Sequence, residues 1–151
     1  MNSLNIGQLK QCYDSLSADQ RRDILEVLPK IEKLLERVQR RNKHPNEDQR
    51  KIVQILTVLR AELSTHIGRK EDSVIPLLDE VFGLDDIKNY PAEKASLLAD
   101  LVSVLNGEYE GICVLIDQAM IYAEILAEQE NKDFINMANA VKRVKLLVAN
   151  I

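Results

Sequence analysis

Apolar residues recur at alternating intervals of four and three along most of this chain, which puts them on one face of an α-helix. Ile24, Leu28, Ile31, Leu35 and Val38 form the first such stripe. Ser17-Ala-Asp-Gln20 ahead of it reads as a capping box, a hydroxyl at the N-cap and an amide three residues on. Pro29 falls inside the stripe. Lacking an N–H and crowding the preceding turn, it predicts a kink or a split near Leu28. Arg37, Arg40, Arg41 and Lys43 complement the negative end of the helix dipole. His44-Pro45-Asn46 interrupts the pattern, and Asn46 is placed to cap a second helix with Glu47 and Asp48 in its first turn.

The second stripe is Ile52, Leu56, Leu59 and Leu63, and one more step of three lands on His66. The histidine therefore belongs to the core side of its helix, near the end of the stripe. Pro76 predicts a bend or restart before Leu77, Leu78, Val81 and Phe82, and Gly83 is the expected left-handed cap. Residues 83–91 are turn-like, with Pro91 suited to the first position of the next helix. Leu98, Leu101 and Leu105 line that helix, and Asn106-Gly107 is its predicted end. A fourth long helix carries Ile112, Leu115, Ala119, Tyr122 and Leu126. A last one, from near Asp133, carries Phe134, Met137, Val141, Val144, Val148 and Ile151. No segment alternates with period two for long enough to be a strand. The expectation is an all-α, antiparallel four-helix bundle with short extra helices, one domain over residues 1–151.

Composition agrees. Of 151 residues, 46% are hydrophobic, with only five Gly, four Pro and no Trp, which suits a helical core better than a Gly-rich α/β fold. The net charge of −4 argues against a nucleic-acid binder, and the basic clusters Arg37–Lys43 and Lys142–Lys145 lack aromatic residues to stack bases. No apolar run approaches the roughly 18 residues of a membrane span, and the N-terminus lacks the pattern of a signal peptide. Cys12 and Cys113 are far apart without a CxxC spacing and read as thiols in a reducing compartment. A cytoplasmic protein is expected, with no membrane and no nucleic acid as partner.

Chemistry concentrates in residues 62–78, ELSTHIGRKEDSVIPLL. His66 supports a metal-ligand reading, with His44 as its companion. The blander one is a half-buried histidine at a helix end, bonded to a carbonyl or to Glu62 one turn earlier. Phosphotransfer at His66, with Arg69 and Lys70 neutralising phosphate beside Gly68, is a minor third, since the residue order departs from His-x-x-Lys-Gly. No phosphate-binding Gly-rich loop, nucleophile elbow or ExxH pair is present.

Leu59, Leu63, His66, Glu71, Val74, Ile75 and Pro76 together resemble the hemerythrin-like, HHE cation-binding domain, and within it the iron–sulfur-cluster-repair di-iron proteins. That family has His, Glu four residues later, a second acid, and Pro ten after the His. Residues 28–44 are similar to the family's preceding helix, which closes on a ligand His, here His44. Residues 93–138 resemble its second helix pair, with Glu130 where a ligand carboxylate would stand. The resemblance implies the bundle fold and offers His66, His44, Glu71 and Glu130 as metal ligands, for iron or zinc. The chain departs from it at the metal. A di-iron site of the family uses about five histidines and two bridging carboxylates, and only two histidines are present. Lys70 stands four residues after His66, where an ammonium would repel a cation. Glu71, five after, points away on a regular helix. A π-bulge at Gly68 would return it to line, but the unchanged His-to-Pro spacing gives no sign of an inserted residue. Such a centre is expected to be refilled by apolar residues or an ion pair.

The expectation is a non-enzymatic bundle acting through protein–protein interaction, as regulator or scaffold, without cofactor, on a degenerate hemerythrin-like fold. Its partner is another protein; self-pairing as a homo-oligomer fits the same stripes. The alternative is a metal-binding protein with a reduced ligand set, handling oxygen, nitric oxide or iron.

Overall fold

A computed structural model of the chain describes residues 10, 11, 13, 14, 16, 18, 21–41, 47–83, 90–128, 139, 141 and 142. Among the described residues the structure is all-helical, in three long runs. The first is a π-turn, π1 (Asp23–Val27), leading into α1 (Leu28–Arg41). The second is α2 (Glu47–Arg69), a further π-turn, π2 (Lys70–Val74), and α3 (Ile75–Phe82). The third is α4 (Ala92–Glu128), continuous over 37 residues. No helix among the described residues is long and apolar enough to cross a membrane.

Each π-turn ends two residues before a proline, and the proline explains it. In a regular helix the ring of Pro29 would press on the carbonyl four residues back, and so would that of Pro76. Widening the turn moves that carbonyl aside. Accordingly Leu28 N–H donates to the Asp23 carbonyl and Ile75 N–H to that of Lys70, each five residues back. The two segments match in sequence: DILEVLP at 23–29 and KEDSVIP at 70–76. Val27 and Val74 both have no exposed surface.

The wider turn corrects the first stripe. Val27 and Asp23 lie on the buried face, while Ile24 is 41% exposed. One extra residue per turn shifts everything upstream by one position. No π-turn stands at Gly68, where the helix is still α; π2 begins only at Lys70. The turn does not bring Glu71 inward. Lys70 is buried, and Glu71 is exposed.

Two further expectations change. Asn106-Gly107 does not end a helix. Leu105 and Ile112 are buried on either side, and their packing outweighs the ~1 kcal/mol a helix-interior glycine costs. Gly83 is not left-handed: its φ is −85°, and its N–H donates to the Asp79 carbonyl at 2.9 Å. Pro91 sits one residue before α4, its carbonyl accepting from Ala95 N–H at 3.0 Å. The proposed caps Ser17 to Gln20 and Asn46 are not settled, since Ser17, Gln20 and Asn46 lie outside the described residues, as does most of the predicted last helix.

α2 packs along α4, and α1 against α2. Both pairs are antiparallel: Asp23 meets Lys70 although α1 and α2 are joined at their other ends. Likewise Glu80 meets Lys94 (3.0 Å) while His66 meets Glu108 farther along. The buried apolar residues fall into two clusters. The larger holds Val27, Ile31, Leu56, Leu63, Ile112 and Leu126 among others, and includes Val141 from the C-terminal part. The smaller holds Leu16, Val74, Leu78, Val81, Leu98 and Leu105. Tyr13 ties the N-terminal part to the smaller cluster, donating to Asp79 at 2.5 Å and lying 5.1 Å from the Phe82 ring.

Candidate functional site

Between the two clusters lies a polar layer, one contribution from each run. Asp23 falls between Leu16 and Val27, His66 and Lys70 between Leu63 and Val74, Glu108 between Leu105 and Ile112. The layer is deeply buried: Asp23 is 0% exposed, Lys70 1% and His66 2%. Asp23 and Lys70 are the first residues of their respective π-turns. Lys70 Nζ donates to Asp23 Oδ2 at 3.2 Å, both side chains inside the protein. Its neighbour Glu108, on α4, accepts from Arg69 Nε at 3.0 Å and lies 3.4 Å from His66 Nδ1. His66 Nε2 is buried with no hydrogen-bond partner.

These positions follow from local structure. His66 continues the four-three stripe of α2, and Lys70 lies one turn beyond on the same face because the helix is still α up to Arg69. Glu108 stands three residues after Leu105 and four before Ile112, a core position of α4. Two charges removed from water are stable there only because each meets its counter-ion. The layer also fixes register. Sliding α1 against α2 by one turn would leave both charges buried apart, at a cost of several kcal/mol.

Burial holds the His66 imidazole below its ordinary pKa, and the Lys70 ammonium adds to the effect. Glu108 opposes through its hydrogen bond and charge, and Arg69 contributes weakly in the lowering direction. His66 is thus neutral near pH 7. The unfolded chain takes up this proton at about pH 6.5, before the folded protein does. Stability is fully present above that value and falls as pH drops from it towards the lower folded pKa. Thermal melts between about pH 7.5 and 5 should show this loss, and His66→Gln should flatten it. An equal slope in the variant would assign the loss to other groups.

The sequence-derived candidates separate in space. His66 lies in the layer, but Glu71 is exposed and takes no part in it. His44 and Glu130 lie outside the described residues. His66 bonds to Glu108 rather than to Glu62, which is exposed. Among the described residues no three His, Cys, Asp or Glu side chains gather as a metal-ligand group. Of the two carboxylates in the layer, Asp23 accepts from Lys70 and Glu108 from Arg69. This donor set is that of an ion-paired layer, with the Lys70 ammonium where a cation would have to compete with it. Cys113 is half-buried, and Cys12 lies outside the described residues.

Asp23 and Glu108 are absent from the sequence-derived candidates, though both left a signal. Asp23 and Lys70 are an acid and a base at the same place in the repeated pattern ending Val-Leu-Pro and Val-Ile-Pro. Glu108 is an acid seven residues from Leu101 and Leu115, in a row otherwise apolar.

Away from the layer, α4 carries a second apolar row. Leu97, Val104, Val114 and Ile121 are 49%, 44%, 55% and 56% exposed, on the side away from the buried stripe. Gly107 and Gly111 lie in the same row, and a Cβ on either would meet nothing within 4 Å. No protein-family model, curated protein or solved structure matches this chain.

Proposed function

We propose that the protein is a non-enzymatic helical scaffold that works by binding another protein chain through the exposed face of α4. One observation carries the reading: four large apolar residues, Leu97, Val104, Val114 and Ile121, exposed on one face of a 37-residue helix together with Gly107 and Gly111. Scattered surface apolar residues need no explanation, but apolar residues aligned on one face of a helix are the pattern by which one helix receives another. The two glycines strengthen it. Neither is needed for packing inside the chain, and each lets a second backbone come close. The polar layer supplies the rigidity that such a scaffold needs, since its charges hold α1, α2 and α4 in one register.

The finer fold reading belongs to the same proposal. It is a four-helix bundle of degenerate hemerythrin-like type, cytoplasmic, closed by the segment around Val141, with the Asp23–Lys70 pair in place of a metal centre. The burial of Val141 in the larger cluster and the paired donors of the layer support it.

The test is a photo-cross-linking side chain placed at Val104 and, as control, at the exposed Glu62 on α2, in cells making the protein. Protein adducts from the α4 position and few from α2 are expected. Adducts from neither, or equally from both, would remove the basis of the reading. Metal analysis of protein made with iron and zinc supplied is a separate arm. Stoichiometric metal lost on His66→Ala would replace the scaffold reading with the metal-binding one.

A further inference from the structure

The α4 row has an internal symmetry. Leu97, Asp100, Val104, Gly107, Gly111, Val114, Gln118 and Ile121 follow one another at steps of three and four, and all eight are exposed. Read outward from Tyr109 in both directions, the row is a palindrome in small, apolar and polar character. Gly107 mirrors Gly111, Val104 mirrors Val114, Asp100 mirrors Gln118 and Leu97 mirrors Ile121. In a two-fold interface residue i of one copy meets j of the other while j meets i, so a palindromic row pairs like with like at each level.

We infer that the partner of this face is a second copy of the same chain, its α4 laid antiparallel across the first about a two-fold axis at the level of Tyr109. This rests on the reading that α4 is a protein-binding face, and names its occupant. In this arrangement glycine faces glycine at the crossing, and the two backbones approach closely there. Valine meets valine on either side, and leucine meets isoleucine at the ends. The polar pair is Asp100 against Gln118, which can hydrogen-bond, rather than carboxylate against carboxylate.

Charge selects the antiparallel direction. Beside the row run Ser96, Ser103, Glu110, Asp117 and Glu124, uncharged in the first half and acidic in the second. Antiparallel pairing sets the acidic half of one helix against the serines of the other. Only Glu110 comes near its own copy. A parallel pair would bring Asp100, Glu110, Asp117 and Glu124 each beside its double, like charges that destabilise a contact.

The footprint sets the strength. From Leu97 to Ile121 is about 36 Å at 1.5 Å per residue, on a helix roughly 10 Å wide. That falls below the ~800 Å² per partner of a standard stable interface. The dimer is therefore expected to dissociate in the micromolar range or above, and to appear only as concentration rises.

Sedimentation of the full chain from about 1 µM to about 1 mM tests this. The expected result is a monomer–dimer equilibrium that Val104→Lys and Gly111→Leu each weaken by at least about tenfold. Val58→Lys, at an exposed position on α2, leaves it unchanged. All three positions are exposed, and circular dichroism confirms that the variants are folded. Register is read by mixing a Leu97→Cys chain with an Ile121→Cys chain, both with Cys12 and Cys113 replaced by serine. The antiparallel dimer gives the mixed disulfide in preference to either homodimer. A chain that stays monomeric throughout, or a dimer indifferent to Val104→Lys, overturns the inference. If the chain is monomeric yet Val104 still cross-links to a different protein, the binding face stands and the second copy does not.

Discussion

Lys70→Met is expected to lower folding stability by about 3–5 kcal/mol, the largest loss foreseen for any single polar change in this protein. The Asp23 carboxylate would stay fully buried while losing the ammonium 3.2 Å away. For a chain of this length that corresponds to a fall of roughly 6–20 °C in melting temperature. Methionine roughly matches the lysine stem in volume, so little of the loss comes from a cavity. The partner change settles the cause. Asp23→Leu combined with Lys70→Met removes both charges, and should recover most of the stability or exceed the parent, because a buried pair gains little over apolar packing. Urea unfolding of the two single variants and the double measures the coupling directly. Additive losses would mean that the two residues do not act as a pair.

Leu63→Ala is the second large effect, about 2–5 kcal/mol, from lost apolar burial together with the cavity left behind. Leu63 is 1% exposed on α2, in the larger cluster and one turn before the polar layer. Leu78→Ala, at a residue with no exposed surface in the smaller cluster, removes the same atoms. The two should differ in reach. Among the described residues the smaller cluster has six buried members against sixteen, with the ion-paired layer between them. Hydrogen exchange should therefore speed up throughout α1, α2 and α4 in the Leu63 variant. In the Leu78 variant it should speed up mainly in α3 and the first turns of α4, as expected of a less stable sub-region. Equal acceleration everywhere in both variants would mean that the layer does not divide the core.

These effects trace to features that differ in how far they could be read from the chain. The stripe of α2 is legible residue by residue: Ile52, Leu56, Leu59, Leu63 and His66 are all buried, because a regular helix converts spacing directly into a face. The stripe of α1 holds from Ile31 to Val38 and fails ahead of Pro29. There the π-turn adds a residue, and Val27 takes the place expected for its neighbours. The end placed at Asn106-Gly107 fails for another reason. Local propensity disfavours glycine in a helix, and the buried neighbours Leu105 and Ile112 overrule it.

The sequence by itself determined the helical class, the buried side of α2 and α4, and the inward position of His66. All of these follow from periodicity and residue chemistry within one helix. Only the tertiary structure decided that Lys70 meets Asp23, 47 positions away. It also decided that His66 meets Glu108 rather than Glu62, and that Leu97, Val104, Val114 and Ile121 face outward. The physical reason is the same in each case. Helical spacing says which residues share a face, but which face meets which is set by packing between helices. Here the two proline-induced turns placed an acid and a base at the same depth.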